Sequence, residues 1–179
     1  MATGAAPPPE KITATHIELI QLYQIYRLAS LNQRYYGYRD SRIGAWNTRL
    51  RVIAALGSSG TLLGLLAGVS RTALVLSIVA AVASTISPFL GLIEKTVRFE
   101  KLHFAYSELY AEIDALIREI RLRGFADEGH MAVAKAIREN YATLSTLDEP
   151  NPDRQVIDRF TKEVNAAIPV ESLWLPDYE

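Results

Sequence analysis

Cysteine is absent from the 179 residues, which removes disulfide frameworks, thiolate metal sites and cysteine nucleophiles together and fits a cytoplasmic compartment. A basic excess is missing too. There are 19 Lys and Arg against 20 Asp and Glu, a net charge of -1, whereas a nucleic-acid-binding domain carries positive charge to neutralise phosphates. Nucleic acid is therefore not an expected partner. His16, His103 and His130 stand apart, no two within four residues of each other, so they are read as surface residues and no metal site is expected. Gly57-Ser58-Ser59-Gly60-Thr61 lacks the Gly-Lys-Ser/Thr ending of a phosphate loop and does not form a nucleophile elbow. Neither an enzymatic activity nor a cofactor is expected. Met1 to Glu10 holds three prolines but no basic or apolar stretch of a signal peptide, and residues 1–14 read as a disordered arm.

Charge itself is missing from two stretches. Val52–Ser70 and Thr72–Ile93, 19 and 22 residues long, contain no Asp, Glu, Lys or Arg. As helices they would extend roughly 28 and 33 Å at ~1.5 Å per residue, against a bilayer core of about 30 Å. The expectation is an all-α integral membrane protein, with a transmembrane hairpin over 52–93 turned at Gly68–Thr72. Lys and Arg number eight on the flanks (Arg34, Arg39, Arg42, Arg49, Arg51, Lys95, Arg98, Lys101) against Arg71 alone in the turn. By the positive-inside tendency both termini face the cytoplasm and Arg71 is a solvated turn residue.

Outside the hairpin the pattern is amphipathic and helical. Thr15-His16-Ile17-Glu18 fits a capping box, and Leu19, Leu22, Tyr23, Tyr26 and Ala29 or Ser30 form one stripe of a helix over 15–51. Leu102, Tyr106, Leu109, Ile113, Leu116 and Ile120 recur at spacings of four and three, a coiled-coil-like seam on a juxtamembrane helix over 94–123 and a candidate oligomer contact. With no Gly or Pro between Gly91 and Gly124, the second span is expected to run on into that helix. Gly124 suits its C-cap and Asp127 the next N-cap, with Ala134, Ile137, Tyr141 and Leu144 as a third stripe. Asn151-Pro152-Asp153 reads as N-cap, first residue and first-turn acid of a helix burying Ile157, Phe160, Val164 and Ala167 and stopped by Pro169. These helices and a tail with Trp174, Leu175 and Tyr178, expected to dock on the bundle, make an acidic region over 124–179, with 11 acidic and 5 basic residues.

Within the hairpin, Gly57, Gly60, Gly64 and Gly68 on the first block and Ala81 and Gly91 on the second are candidate helix-packing positions, since small residues let helices approach closely in lipid. Ser77, Ser84 and Ser87 are candidate pore-lining hydroxyls, with interhelical or local hydrogen bonds as their alternative role. Pro88 is a candidate hinge. Tyr36, Tyr38 and Trp46, interleaved with arginines, are candidate anchors at the membrane interface.

This order of features resembles the SLATT family, the SMODS and SLOG-associating two-transmembrane effectors of bacterial defence. The likeness runs from about Ile17 to Ile120. It is carried by Tyr35-Tyr36-Gly37-Tyr38-Arg39 to Trp46, the charge-poor hairpin, and Glu94, Lys95, His103, Tyr106 and Leu109 after it. The resemblance implies a pore-forming or membrane-disrupting antiphage effector in a bacterial inner membrane. A nucleotide-signalling or sensor protein would trigger it. Two helices cannot enclose a lumen, so a homo-oligomer in the lipid bilayer is expected. The alternative is a membrane-anchored scaffold whose acidic helices recruit cytosolic partners.

Overall fold

The computed structural model describes residues 9–67, Val75, Val82 and 91–170. Four helices are described: α1 (Pro9–Ala67), α2 (Leu92–Arg123), α3 (Glu128–Ser145) and α4 (Arg154–Ala167). Two compact units divide the chain, one combining residues up to Tyr35 with those from Leu102 onward, the other spanning Tyr36–Lys101.

Among the described residues no helix is long and apolar enough to cross a membrane. That finding overturns the two-span membrane fold and, with it, the multi-pass placement in a bacterial inner membrane. Freedom from charge was the wrong measure of apolarity. Eight of the 19 residues of Val52–Ser70 are Gly, Ser or Thr, and outside that block the described helices carry charge at short intervals, from Arg27, Arg34, Arg39 and Arg42 on α1 to Glu100, Glu108 and Glu112 on α2. The first block does not start a new element either. Its residues as far as Ala67 prolong α1. Most of the second block, including Ser77, Ala81, Ser84, Ser87 and Pro88, lies outside the described residues, as do Gly68 and the turn that follows it.

α1 is described from Pro9 onward. Thr15–Glu18 therefore sits inside a helix, and its capping-box pattern has no free donors to satisfy. α2 starts abruptly after Gly91, whose φ of +55° is left-handed backbone that glycine adopts without strain. The carbonyl of Gly91 accepts from Lys95 N–H at 3.0 Å. A rod running unbroken through this point is thus excluded.

In the first unit the core is helix against helix. From α1 come Leu19, Leu22, Tyr23, Ala29 and Tyr35; from α2, Leu102, Tyr106, Leu109, Ile113, Leu116 and Ile120; from α3, Ala134 and Ile137; from α4, Phe160 and Val164. The six-residue seam read from the sequence is thus buried within one chain, and its burial needs no second copy. Tyr141, Leu144 and Ile157 are half-buried, while Ala167 is exposed. Gly124, at φ +75°, closes α2 with its N–H 2.9 Å from the Ile120 carbonyl, as expected of a C-cap glycine. Asp127 caps α3. For α4 the cap is Asp153 rather than Asn151, its carboxylate accepting from Gln155 N–H at 3.1 Å and Val156 N–H at 3.4 Å. Pro152 thereby stays outside the helix.

In the second unit, Tyr36 is buried, its ring stacked 5.8 Å from that of Phe99, with Arg39 5.2 Å above the Phe99 ring. Tyr36 is a core residue here. Tyr38 accepts from the Arg42 guanidinium at 3.1 Å, and Trp46 is exposed beneath Arg49. The three aromatics proposed as interface anchors thus have separate roles, and no membrane interface is needed to account for them.

Because Ile113 is fully buried, Ile113→Ala is expected to lower the unfolding free energy by about 2–5 kcal/mol. Ile17→Ala, on the exposed side of α1, should stay within about 0.5 kcal/mol. Urea denaturation of both variants checks the difference.

Candidate functional site

Three polar features of the first unit are candidates for chemistry or binding, and each is built from side chains that the helices bring together from distant parts of the chain.

The first is a seam of phenols and carboxylates. Tyr26 Oη lies 2.8 Å from Tyr110 Oη and 2.9 Å from Asp114 Oδ1, and the two rings stack at 4.7 Å with planes 10° apart. A phenol has one proton and a carboxylate only accepts, so Tyr26 donates to Asp114 and accepts from Tyr110. Tyr106 donates to Asp148 at 2.9 Å and packs edge-on to Tyr141. Tyr35 donates to Glu149 at 2.6 Å and accepts the Asp153 N–H at 3.1 Å. Burial, reinforced by the bond to Tyr110 and the Asp114 carboxylate, pushes the Tyr26 phenol well above its ordinary range. Burial and Asp148 do the same to Tyr106, and burial likewise raises Tyr141. These phenols remain protonated donors at neutral pH, unsuited to act as bases or nucleophiles. Their chemical competence is to hold helices in register. Beside them, the Gln33 carbonyl lies 2.9 Å from His103 Nδ1, which requires the proton on Nδ1.

The second feature is the corner between α2 and α3. Asp127 Oδ1 accepts from His130 N–H at 2.8 Å, and His130 Nδ1 accepts from Asp127 N–H at 3.1 Å. A histidine therefore fills the place that Glu or Gln takes in the usual capping box. His130 is 5% exposed, which corrects its reading as a surface residue. The His130 backbone N–H, with smaller help from the ring and Arg123, holds the Asp127 carboxyl below the usual range. Arg123 spans the corner, 2.7 Å from Glu119 and 3.3 Å from Asp127. A cleft of about 450 Å³ opens here, lined by Glu112, Leu116, Glu119, Arg123, His130 and Val133 among others. Glu119, Arg123 and Asp127 already pair with one another, and among the described residues no group of three His, Asp or Glu is placed to hold a metal.

The third is a groove of about 300 Å³ between α1 and α4, lined by Gln24, Arg27, Leu28, Leu31, Thr161, Val164 and Asn165. The Arg27 guanidinium bonds Asn165 through one terminal nitrogen. Its Nε–H is buried without a hydrogen-bond partner among the described residues. Next to the groove, Ile17, Ile20 and Leu28 are 50%, 44% and 41% exposed on one stripe of α1.

Of the residues singled out from the sequence, Gly57, Gly60 and Gly64 fall within α1 and Gly91 at the start of α2. Among the described residues, the six-residue seam is gathered into one place. The phenol–carboxylate seam escaped because Tyr26 and Tyr106 counted as apolar stripe members. Asp114 four residues after Tyr110, and an acidic pair at Asp148-Glu149, were the available signals. No family model, curated protein or solved structure matches the chain.

Two outcomes follow. A phenol more acidic when unfolded than when folded makes stability fall as pH rises beyond its unfolded value. The unfolding free energy should therefore be level from neutral pH to about pH 10 and decline above it, and Tyr106→Phe should flatten that decline; urea titrations at a series of pH values measure it. At the corner, His130→Gln should keep a thermal midpoint closer to the native one than His130→Ala, since the amide oxygen can accept the Asp127 N–H. Calorimetric melting compares the two.

Proposed function

We propose that the first unit is a helical recruitment module that seats an acidic, apolar-faced helix of a partner protein on the α1 stripe and the α1–α4 groove. The observation that carries this is an inversion of ordinary surface chemistry. Hydroxyl and carboxylate groups such as Tyr26, Asp114, Tyr106 and Asp148 satisfy one another between helices, while Ile17, Ile20 and Leu28 face outward in a row. Exposed apolar side chains scattered singly mean little, but a row on one side of a helix that ends in a groove marks a binding face. Charge selects the partner. Arg27 brings an unsatisfied Nε–H to the groove, whereas Glu18, near the other end of the row, is already paired with Arg138. A carboxylate on the incoming helix supplies what Arg27 lacks.

Of the two functions read from the sequence, recruitment of partners is the one this geometry supports, without the membrane anchor first attached to it. The pore-forming function, the first of the two, was built on two membrane spans, and among the described residues no helix is long and apolar enough to provide them.

The test is binding of a fluorescent Leu/Glu amphipathic 14-mer to the full chain, compared with a Leu/Lys peptide of equal length. The acidic peptide should bind and the basic one should not. Leu28→Asp should abolish binding, and Arg27→Gln should weaken it by about tenfold, the size expected for a lost charge-assisted hydrogen bond, with thermal midpoints unchanged. Equal binding of both peptides, or binding that survives Leu28→Asp, would reject the proposal.

A further inference from the structure

α2 has a second patterned stripe, with a large apolar residue at each end, on the side opposite its buried seam. Phe104 is 64% and Leu122 is 89% exposed, and between them Glu108, Ala111, Ala115 and Arg118 are exposed as well. At about 100° per residue these six positions lie within ~40° of one line along the helix, facing away from Leu109 and Ile113. An isolated surface helix would normally carry polar residues there.

The order of this stripe is a palindrome of chemistry centred on Ile113. Phe104 and Leu122 stand nine residues either side of it, Glu108 and Arg118 five, and Ala111 and Ala115 two. We infer that this face of α2 pairs antiparallel with α2 of a second copy of the chain. A two-fold axis at Ile113 puts each Phe104 against Leu122 of the other copy and lets the helices approach closely over Ala111 and Ala115. It also sets both Glu108 side chains opposite Arg118, an isologous contact in which every interaction occurs twice. Parallel pairing would instead oppose Glu108 to Glu108 and Arg118 to Arg118, like charges that repel. Arg118 is available for the contact. Its side chain is 74% exposed and its ion pair with Asp114 lies along its own helix, so it can bridge both carboxylates.

This pairing uses residues distinct from the α1–α4 groove and stands apart from the recruitment proposal. Sedimentation equilibrium of the full chain should show a dimer. Glu108→Arg and Arg118→Glu singly should each weaken dimerisation by about tenfold or more, as two surface ion pairs become like-charge contacts, and the double exchange should restore it. Circular dichroism melts establish that each variant is folded. Because the native chain has no cysteine, direction can be read separately. Phe104→Cys mixed with Leu122→Cys should form a disulfide-linked heterodimer under mild oxidation, and Phe104→Cys alone should not link. A monomer at 100 µM, a dimer indifferent to the charge exchanges, or self-linking of Phe104→Cys would each overturn the inference.

Discussion

A hydroxyl taken out of water needs a partner, and in the first unit that requirement decides where the helices sit. Tyr26, Tyr35 and Tyr106 each carry a phenol into or beside the apolar core, and each finds a carboxylate from a segment far away in sequence: Asp114, Glu149 and Asp148. Leaving one such group unsatisfied would cost on the order of 1–3 kcal/mol, comparable to removing a good part of a core side chain. Apolar burial by Leu22, Leu109, Ile113 and Ile137 is nonspecific in register, whereas three hydroxyl–carboxylate bonds admit essentially one. The greasy stripes make the helices associate; the phenols determine how.

The same demand explains where the acidic residues of the C-terminal half go. Counted by segment, their excess looks like a face offered to basic partners. In the folded chain, Asp127 and Asp153 cap helices, Asp148 and Glu149 receive phenols, and Glu163 meets Arg34 and Arg159. Much of that negative charge is structural, and the outward-facing chemistry is instead the apolar row on α1 and the chemically palindromic stripe on α2.

Helix type and several boundaries were legible from residue spacing. Gly124 as a terminator, Asp127 as a cap and the stripe from Leu102 to Ile120 all lie where periodicity and end signals put them. What periodicity does not encode is the identity of the opposing surface. A four-three repeat buries itself equally well against a second copy or against α1, α3 and α4 of its own chain, so the seam was located while its partner was not. The Thr15 capping pattern and the Asn151-Pro152 start failed because local end signals compete. Thr15 lies inside α1, and Asp153 caps α4. The membrane reading failed because freedom from charge alone does not make a span: eight of the 19 residues of Val52–Ser70 are Gly, Ser or Thr, and among the described residues no helix is long and apolar enough to cross a bilayer. His130 was misplaced because a histidine three residues after a capping aspartate is not among the common reciprocal pairs.

Tyr35 acts on more than its own helix. By accepting the Asp153 N–H while donating to Glu149, one oxygen fastens the middle and the last residue of the short connection between α3 and α4, where Leu147 is half exposed. A protease must draw several residues of such a link into an extended form to cleave it, and here that means breaking two anchors at once. The connection is thus shielded from digestion by a single phenol more than 100 residues away in the chain.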